Sequence, residues 1–550
     1  AGAAGVTRAV LARCPLTVID LGSLPAGGAQ RRAAVAGDDR DIGRISAALP
    51  PGTRLVVTAP ADGAVPHLHP IVITGPGYRA GLLTSPSTRQ PGLAVLTDLT
   101  PTVAGWLGRP VPGTAVGARL GRTARPGLAA AIAGLAGQDT AAQVYRVTMP
   151  WFFTVFGLAG GLLLGLIAVL RRAGPGRPPG TARAAGVFLG SVPAGSFLAS
   201  LVPWPVAPHP ALVLYGLAVA WAAVIAAVAC AGPWRRDPLG PPGFVGAVTF
   251  AVIAIDLMTG SHLQLGTPFG LSALVAGRFY GLGNNAVLVY AASGLLLCGW
   301  LGSAALRRGS RRPAVAGISA VAVAAVIAAG WPGFGAKVGG TIAMVPGFLL
   351  LIAVAAGARI TAGRGVLMVA SGAVVAAALA VAGYFLPGHS DIGAFVGQVL
   401  HGGATAIVHR KLRANAGSLT VNAGSLVIPV VVAVAAAVIG WPGRFRARRL
   451  VRGYEQLPLL RPLLAAIWLV GLLGWLAEDS GVTVPAAGLP LILPLLVAIL
   501  AAVPAAPAGR DTATPGAPAP PGPPAGAGPA GPPAADGETA ARASSGTPEP

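Results

Sequence analysis

Residues 285–306, NAVLVYAASGLLLCGWLGSAAL, run without a single charged side chain. About 20 apolar residues in a helix cross a hydrocarbon core of about 30 Å, so this stretch reads as a membrane span. The reading repeats outward in both directions. Apolar stretches of spanning length fall near 149–170, 184–202, 211–231, 242–258, 285–306, 313–330, 338–357, 365–386, 418–440, 459–477 and 484–504. The pattern predicts a mainly α-helical polytopic membrane protein with about eleven transmembrane helices occupying 149–504. Composition agrees, with 54% hydrophobic and 10% charged residues and a mean hydropathy of +0.70. A soluble globular domain carries roughly a quarter charged residues, so that class is excluded. Chain-long disorder is excluded by the apolar content.

The charge is strongly basic: 39 Lys and Arg against 17 Asp and Glu, a net +22. Only Lys337 and Lys411 are lysines. The abundance of Ala, Gly, Pro and Arg is that of a GC-rich genome. With residues 1–148 placed outside, the loops on the inner side hold 18 Lys and Arg and those on the outer side hold 5. The positive-inside rule therefore predicts an extracytoplasmic N-terminal region and a cytoplasmic C-terminus in the plasma membrane. The same count excludes nucleic acid as a partner. The arginines sit in short loops beside spans, and no nucleic-acid motif accompanies them. Cys230 and Cys298 lie in apolar runs and read as buried hydrophobes, while Cys14 stands alone. The chain opens on Ala1 in the middle of what looks like a domain, and we expect a preceding piece. Residues 505–550 are a Pro, Ala and Gly tail with too little apolar surface to fold, predicting a disordered cytoplasmic extension.

Residues 1–125 read as α/β. Apolar runs at 16–21, 54–59 and 70–74 have strand character, and 29–49 has helical spacing. Thr100 as N-cap with Pro101 at the first helical position predicts a helix through 107. Alternating strands and helices predict a largely parallel sheet. An amphipathic helix at 126–148 connects this region to the membrane part.

The order of motifs in this region is informative. Asp20 ends a strand. Asp38, Asp39 and Asp41 follow in a helix. Then come Asp62, His67, His69, the run PIVITGPG at 70–77, TSPSTRQPG at 84–92, and LTDLTPT at 96–102. This resembles the C-terminal half of the alkaline phosphatase superfamily, over about 100 residues. The resemblance implies a partial α/β phosphatase-like domain, and in an active member a two-metal site for phosphate or sulfate esters. Here Asp-His-Gly is replaced by Ala61-Asp62-Gly63, and the usual nucleophile would precede residue 1. The resemblance therefore implies a fold kept without catalysis. A divalent metal is expected only if the domain is active, with Asp20, Asp62, His67 and His69 as its candidate ligands. Asp98 reads as a structural cap or turn residue.

The whole arrangement resembles a family of bacterial polytopic membrane proteins, actinobacterial in type. In that family a degenerate phosphatase-like outer domain precedes the membrane part. The residues carrying the likeness are DLMTGS at 256–261, GRFYGLGNN at 277–285 and GFGAKVGG at 333–340. The resemblance implies no particular reaction.

Charges in or beside spans are costly and usually find a partner or a cavity. The predicted topology puts Asp256, Arg278, Asn284, Asn285, Lys337, His389 and Asp391 on the outer side. They are the candidate lining of an outward-facing polar pocket. In it Asp256 pairs with Arg278 or Lys337, leaving the other cation for an anionic lipid or sugar phosphate. The alternative is a purely structural Asp256–Arg278 pair. Residues 389–415 read as an amphipathic element on the outer surface, with His409, Arg410, Lys411 and Arg413 facing phosphate head groups. His389, His401 and His409 lack helical metal-ligand spacing. The expected partners are the lipid bilayer, an anionic or lipid-linked envelope precursor, and other envelope proteins. Three functions fit: handling of such a substrate, an envelope phosphoesterase or phosphotransferase with its nucleophile upstream, or a non-catalytic scaffold or sensor.

Overall fold

The computed structural model describes residues 7–503 except 26, 62, 64, 113–114, 116, 124–125, 173–178, 275–278, 386–395, 397–398, 401–403 and 421–422. The N-terminal region begins with a single turn, α1 (Arg8–Leu11), and a long helix, α2 (Gly28–Ala48). α2 carries Arg and Asp on several faces and buries only Ile45. The run at 16–21 forms no strand. It lies largely exposed, with Val18 at 86%.

The expected parallel sheet is also not formed by the described residues. β1 (Leu55–Thr58) and β2 (Ile71–Thr74) pair antiparallel, with Leu55 opposite Thr74 and Thr58 opposite Ile71. β3 (Leu83–Thr84) and β4 (Gly121–Arg122) make a second antiparallel ribbon. The described residues between β1 and β2 contain no helix, and parallel neighbours need a crossover that antiparallel ones do not. α3 (Leu99–Trp106) starts one residue before Thr100, with Asp98 as its N-cap residue. Pro101 thus sits at the third helical position, where its missing N–H is still one that a helix start leaves unbonded.

α4 (Leu128–Arg172) is one helix of 45 residues. It merges the expected connector with the first expected span. Nine further helices among the described residues are long and apolar enough to cross a membrane, and the chain is a multi-pass membrane protein on that ground. They are α5 (Pro179–Leu198), α6 (Pro210–Ala231), α7 (Gly240–Met258), α8 (Ala286–Arg307), α9 (Arg311–Gly330), α10 (Val338–Ala355), α11 (Ala362–Phe385), and, after three shorter helices, α15 (Leu460–Ala477) and α16 (Thr483–Ala502). The shorter ones are α12 (Ala404–Ser418), α13 (Val427–Gly440) and α14 (Arg448–Gln456). α13 occupies the expected 418–440 span as a shorter apolar helix.

α8 is the most enclosed of the nine. Its Tyr290 is fully buried and stacks on Phe250 of α7 at 5.0 Å between ring centroids. α5 lies between α6 and α16. A Cβ at Gly195 would fall 2.3 Å from the Ala218 carbonyl oxygen, and one at Gly186 would fall 2.4 Å from that of Pro494. Glycine there lets the backbones touch, which is how helices associate where lipid removes the hydrophobic drive. At the other extreme, α11 leaves Val366, Leu367 and Val374 about two-thirds exposed, as a lipid-facing helix does.

The two ends of the bundle differ. At one, Asp237 accepts from Arg307 at 2.5 Å, and its carbonyl accepts from Arg183 at 2.7 Å. This is the arginine-rich end. The amphipathic α14 lies between α13 and α15. It buries Leu450 and Gly453 against the bundle. The other end carries the irregular segments 259–274, 279–285, 331–337 and 478–482.

Candidate functional site

Three separate segments meet at that second end. Lys337 is the N-cap residue of α10, Asn284 precedes α8, and Glu478 is the C-cap residue of α15. The Lys337 ammonium lies 2.9 Å from Glu478 Oε2, and both side chains are 6% exposed. Lys337 also donates to Asn284 Oδ1, and Asn284 donates in turn to Ser480 Oγ. The neighbouring acid, Asp479, lies 3.0 Å from Lys411 of α12. Both lysines of the chain therefore end on one acidic dipeptide, Glu478-Asp479. Arginine is the default cation of this composition, so the use of lysine here is notable. An ammonium is a compact point charge, where a guanidinium is a planar fork.

The first turn of α10 brings glycines to the same point. A Cβ on Gly339 would sit 2.6 Å from Glu478 Oε1, and one on Gly340 would sit 2.9 Å from Lys337 Cγ. The Glu478 carboxylate thus rests against the start of a helix, where unbonded N–H groups and the helix dipole favour negative charge. Its Oε1 is buried and makes no hydrogen bond.

Asp256 does not pair with Lys337. It is buried at the end of α7, accepting from the Leu263 backbone N–H at 2.8 Å and from Gln264 Nε2 at 3.1 Å. Gln264 Oε1 in turn accepts from the Gly283 N–H at 3.1 Å. The carboxylate is consumed in folding the irregular residues 259–274 and 279–285, which are largely buried, as non-helical backbone at a membrane must be. Asn285 bonds to Tyr145 of α4 and lies outside the lysine cluster. Arg278, His389 and Asp391 fall outside the described residues.

α12 lies along the acidic loop. Lys411, Asn415 and Ser418 share one helical face. Asn415 donates to the Trp475 carbonyl at 2.5 Å, and Ser418 Oγ accepts from the Val482 N–H at 3.2 Å. His409, Arg410 and Arg413 are exposed. The expected basic surface helix is therefore present, but Lys411 is engaged with protein.

The N-terminal region docks on the same end through 84–92. Gln90 is buried and donates to the carbonyls of Gly260 and Phe279 at 3.0 and 3.1 Å, and its Oε1 lies 2.9 Å from His262 Nδ1. Arg89 donates to the Gly333 carbonyl at 3.1 Å and places its guanidinium 3.9 Å from the Tyr280 ring centroid. Arg89, Ser261 and Ala336 have φ of 55°, 63° and 49°. Side-chain-bearing residues rarely adopt such values, and they persist only where surrounding structure holds them. Asp98 anchors the docking loop, being fully buried and accepting from Ser87 Oγ at 2.7 Å, Ala118 N–H at 2.8 Å and Val95 N–H at 3.2 Å.

Of the residues read as possible metal ligands, Asp20, His67 and His69 lie among the described residues. Asp20 accepts from the Gly22 N–H of its own turn, His69 is exposed, and Asp62 is outside the described residues. His67 lies 2.9 Å from Asp139 of α4, whose other oxygen accepts from the Leu68 N–H at 2.9 Å. Among the described residues, no group of three or more His, Cys, Asp and Glu could hold a metal ion.

Asp139 also clamps the N-terminal region to α4. Burial works to raise its pKa, but the bonds from Leu68, His67 and Gln143 outweigh burial and hold it below the ordinary carboxylate value. A depressed carboxylate stabilises the fold above its unfolded value, near 3.9, and loses that stabilisation as pH falls through the folded one. Protease sensitivity of 60–70 is therefore expected to rise below about pH 4 in the wild type, and to be raised already at pH 7 in Asp139→Asn. Equal digestion of both proteins at pH 7 would refute the clamp.

No family model, curated protein or solved structure matches the chain.

Sequence reading singled out Lys337, Asn284 and Lys411 but missed Glu478, Ser480, Arg89 and Gln90. A count of loop cations alone passes over acidic residues. Glu478 and Asp479 are nonetheless the only adjacent acidic pair within 149–504, and that signal was available.

Proposed function

We propose that this is a plasma-membrane protein of the cell envelope, with its N-terminal region outside and its C-terminus cytoplasmic. In this reading its outer end binds the anionic, phosphate-bearing group of a lipid-linked or soluble substrate at the start of α10. The observation carrying this reading is the buried Lys337 beside Gly339 and Gly340 at a helix N-terminus, where a carboxylate already sits. Cation, close backbone and helix start together make an anion cradle, and intramembrane ionisable groups mark functional sites more often than structural ones. The 18-to-5 distribution of loop cations supports the orientation. The docked N-terminal loop, with Arg89 and Gln90 over the irregular segments, acts as a clamp on the site's mouth. Transport and group transfer both begin with this binding step.

The test is calorimetric titration of dimethyl phosphate, a non-titrating phosphodiester monoanion, into the protein in phosphatidylcholine nanodiscs. Saturable binding is expected in the wild type. It is expected to be lost in Lys337→Met/Glu478→Leu, a variant that removes both charges together. Absence of binding in the wild type, or equal binding in the double variant, would overturn the reading.

A further inference from the structure

The arginine-rich end of the bundle, opposite Lys337, holds a half-open cleft of about 410 Å³. Its longer wall is one face of α8. Trp300, Leu301, Ala304, Arg307 and Arg308 recur there at helical spacing and form a single stripe about two turns long. The stripe changes character along its length. Leu301 is 43% exposed and Ala304 is small and apolar, while the exposed guanidinium of Arg308 belongs to a residue roughly 10 Å further along the axis. The facing wall is the connection between α6 and α7, with Trp234 and Asp237. Trp234 is held in place: its Nε1–H donates to the Ala229 carbonyl at 3.1 Å, and its ring stacks on Phe244 at 4.6 Å and meets Trp300 edge-on at 5.7 Å between centroids.

The acid in this lining is already engaged. Asp237 Oδ1 accepts from the Leu239 N–H at 3.0 Å, and Oδ2 accepts from Arg307 at 2.5 Å. Among the described residues, no acid pairs with Arg308. Two guanidiniums and one carboxylate leave the lining at a net +1, which one monoanion neutralises. We propose that the cleft binds an anionic phospholipid of the adjoining leaflet, with its phosphodiester on Arg308, its glycerol backbone against the two indoles and an acyl chain over Leu301 and Ala304.

The order of the stripe selects this ligand. Apolar side chains, indoles and guanidiniums follow one another as acyl chain, glycerol backbone and phosphate do in a lipid, and indoles are the side chains that settle at the boundary between them. A guanidinium presents paired N–H donors that match two phosphate oxygens. A soluble phosphate would satisfy the cation and leave the apolar half of the stripe unused. Phosphatidylcholine is neutral overall, so it would leave the net charge in place and bring its own ammonium towards two guanidiniums.

Native mass spectrometry of the full chain tests this by counting the lipids retained after loading with phosphatidylglycerol or with phosphatidylcholine of the same acyl chains. Arg308→Gln removes the phosphate contact at an exposed position, and Ala304→Phe fills the cleft without changing its charge. Each should retain one phosphatidylglycerol fewer than the wild type, while all three proteins retain equal numbers of phosphatidylcholine. Should Ala304→Phe fail to fold, Leu301→Trp blocks the same stripe from a position with room for bulk. Glycerol 1-phosphate added in excess should displace no lipid. An unchanged phosphatidylglycerol count in Arg308→Gln would overturn the site. A loss in Arg308→Gln that the cleft-filling variant does not share would reduce it to attraction by surface charge and overturn the cleft. Equal loss of phosphatidylcholine would overturn the anionic head group, and displacement by glycerol 1-phosphate would overturn the lipid in favour of a soluble phosphate.

Discussion

Lys337→Met should destabilise the membrane part by about 3–5 kcal/mol, because it leaves Glu478 buried and uncompensated. Both side chains of the pair are 6% exposed, so solvent cannot take over the lost partner. Methionine keeps the length of the side chain, and the loss is then one of charge rather than of packing. The paired variant Lys337→Met/Glu478→Leu should recover most of that loss, since replacing a whole buried ion pair with apolar groups is often neutral. The thermodynamic cycle over wild type, two single variants and the double variant measures the coupling directly. It is read by thermal unfolding in a fixed detergent. A double variant as unstable as the sum of the singles would show that the pair is not the interaction at stake.

Asp98→Ala should release the N-terminal clamp from the bundle. It strips three donors of their acceptor: Ser87 Oγ and the N–H groups of Val95 and Ala118. A buried donor left unpaired costs about 1–3 kcal/mol; these three are partly buried, and a local loss of about 1–3 kcal/mol in all is expected. The loss falls on 84–102 and 117–120 and leaves the bundle folded. Hydrogen exchange should speed up in those segments and in 260–262 and 279–280, which Gln90 touches. The centre of α8 should keep its protection. Unchanged exchange at 260–262 would show that the docking loop holds its place without Asp98.

The membrane part was legible in the sequence because its signal is local: an uncharged run of spanning length is visible without knowing its neighbours. All nine helices now seen at spanning length were expected within a few residues. The N-terminal region was harder to read. A short β-branched run such as 55–58 shows that a strand exists, but its partner and direction depend on the connection, and both ribbons prove antiparallel. The 16–21 run has strand composition and finds no partner among the described residues. At the site, Lys337 and Asn284 were recognisable because a polar group beside a span needs explaining. Their partner was not, because Lys337 pairs with Glu478, far along the chain at the end of α15, rather than with Asp256. Asp256 looked like the natural counter-ion, but backbone and amide donors of its own loop satisfy it first.

The Lys337–Glu478 pair also imposes an order on biosynthesis. The chain is made from its N-terminus, so α10 reaches the bilayer with its lysine long before α15 delivers the glutamate. Until then Lys337 is without the Glu478 carboxylate, and its charge is best kept near the water interface by extending the side chain. Arrival of α15 allows the start of α10 to settle into the bundle, and Lys411 then fastens α12 to Asp479. A nascent chain stopped before residue 478 would lack the pair, so this contact can close only after α15 has been made.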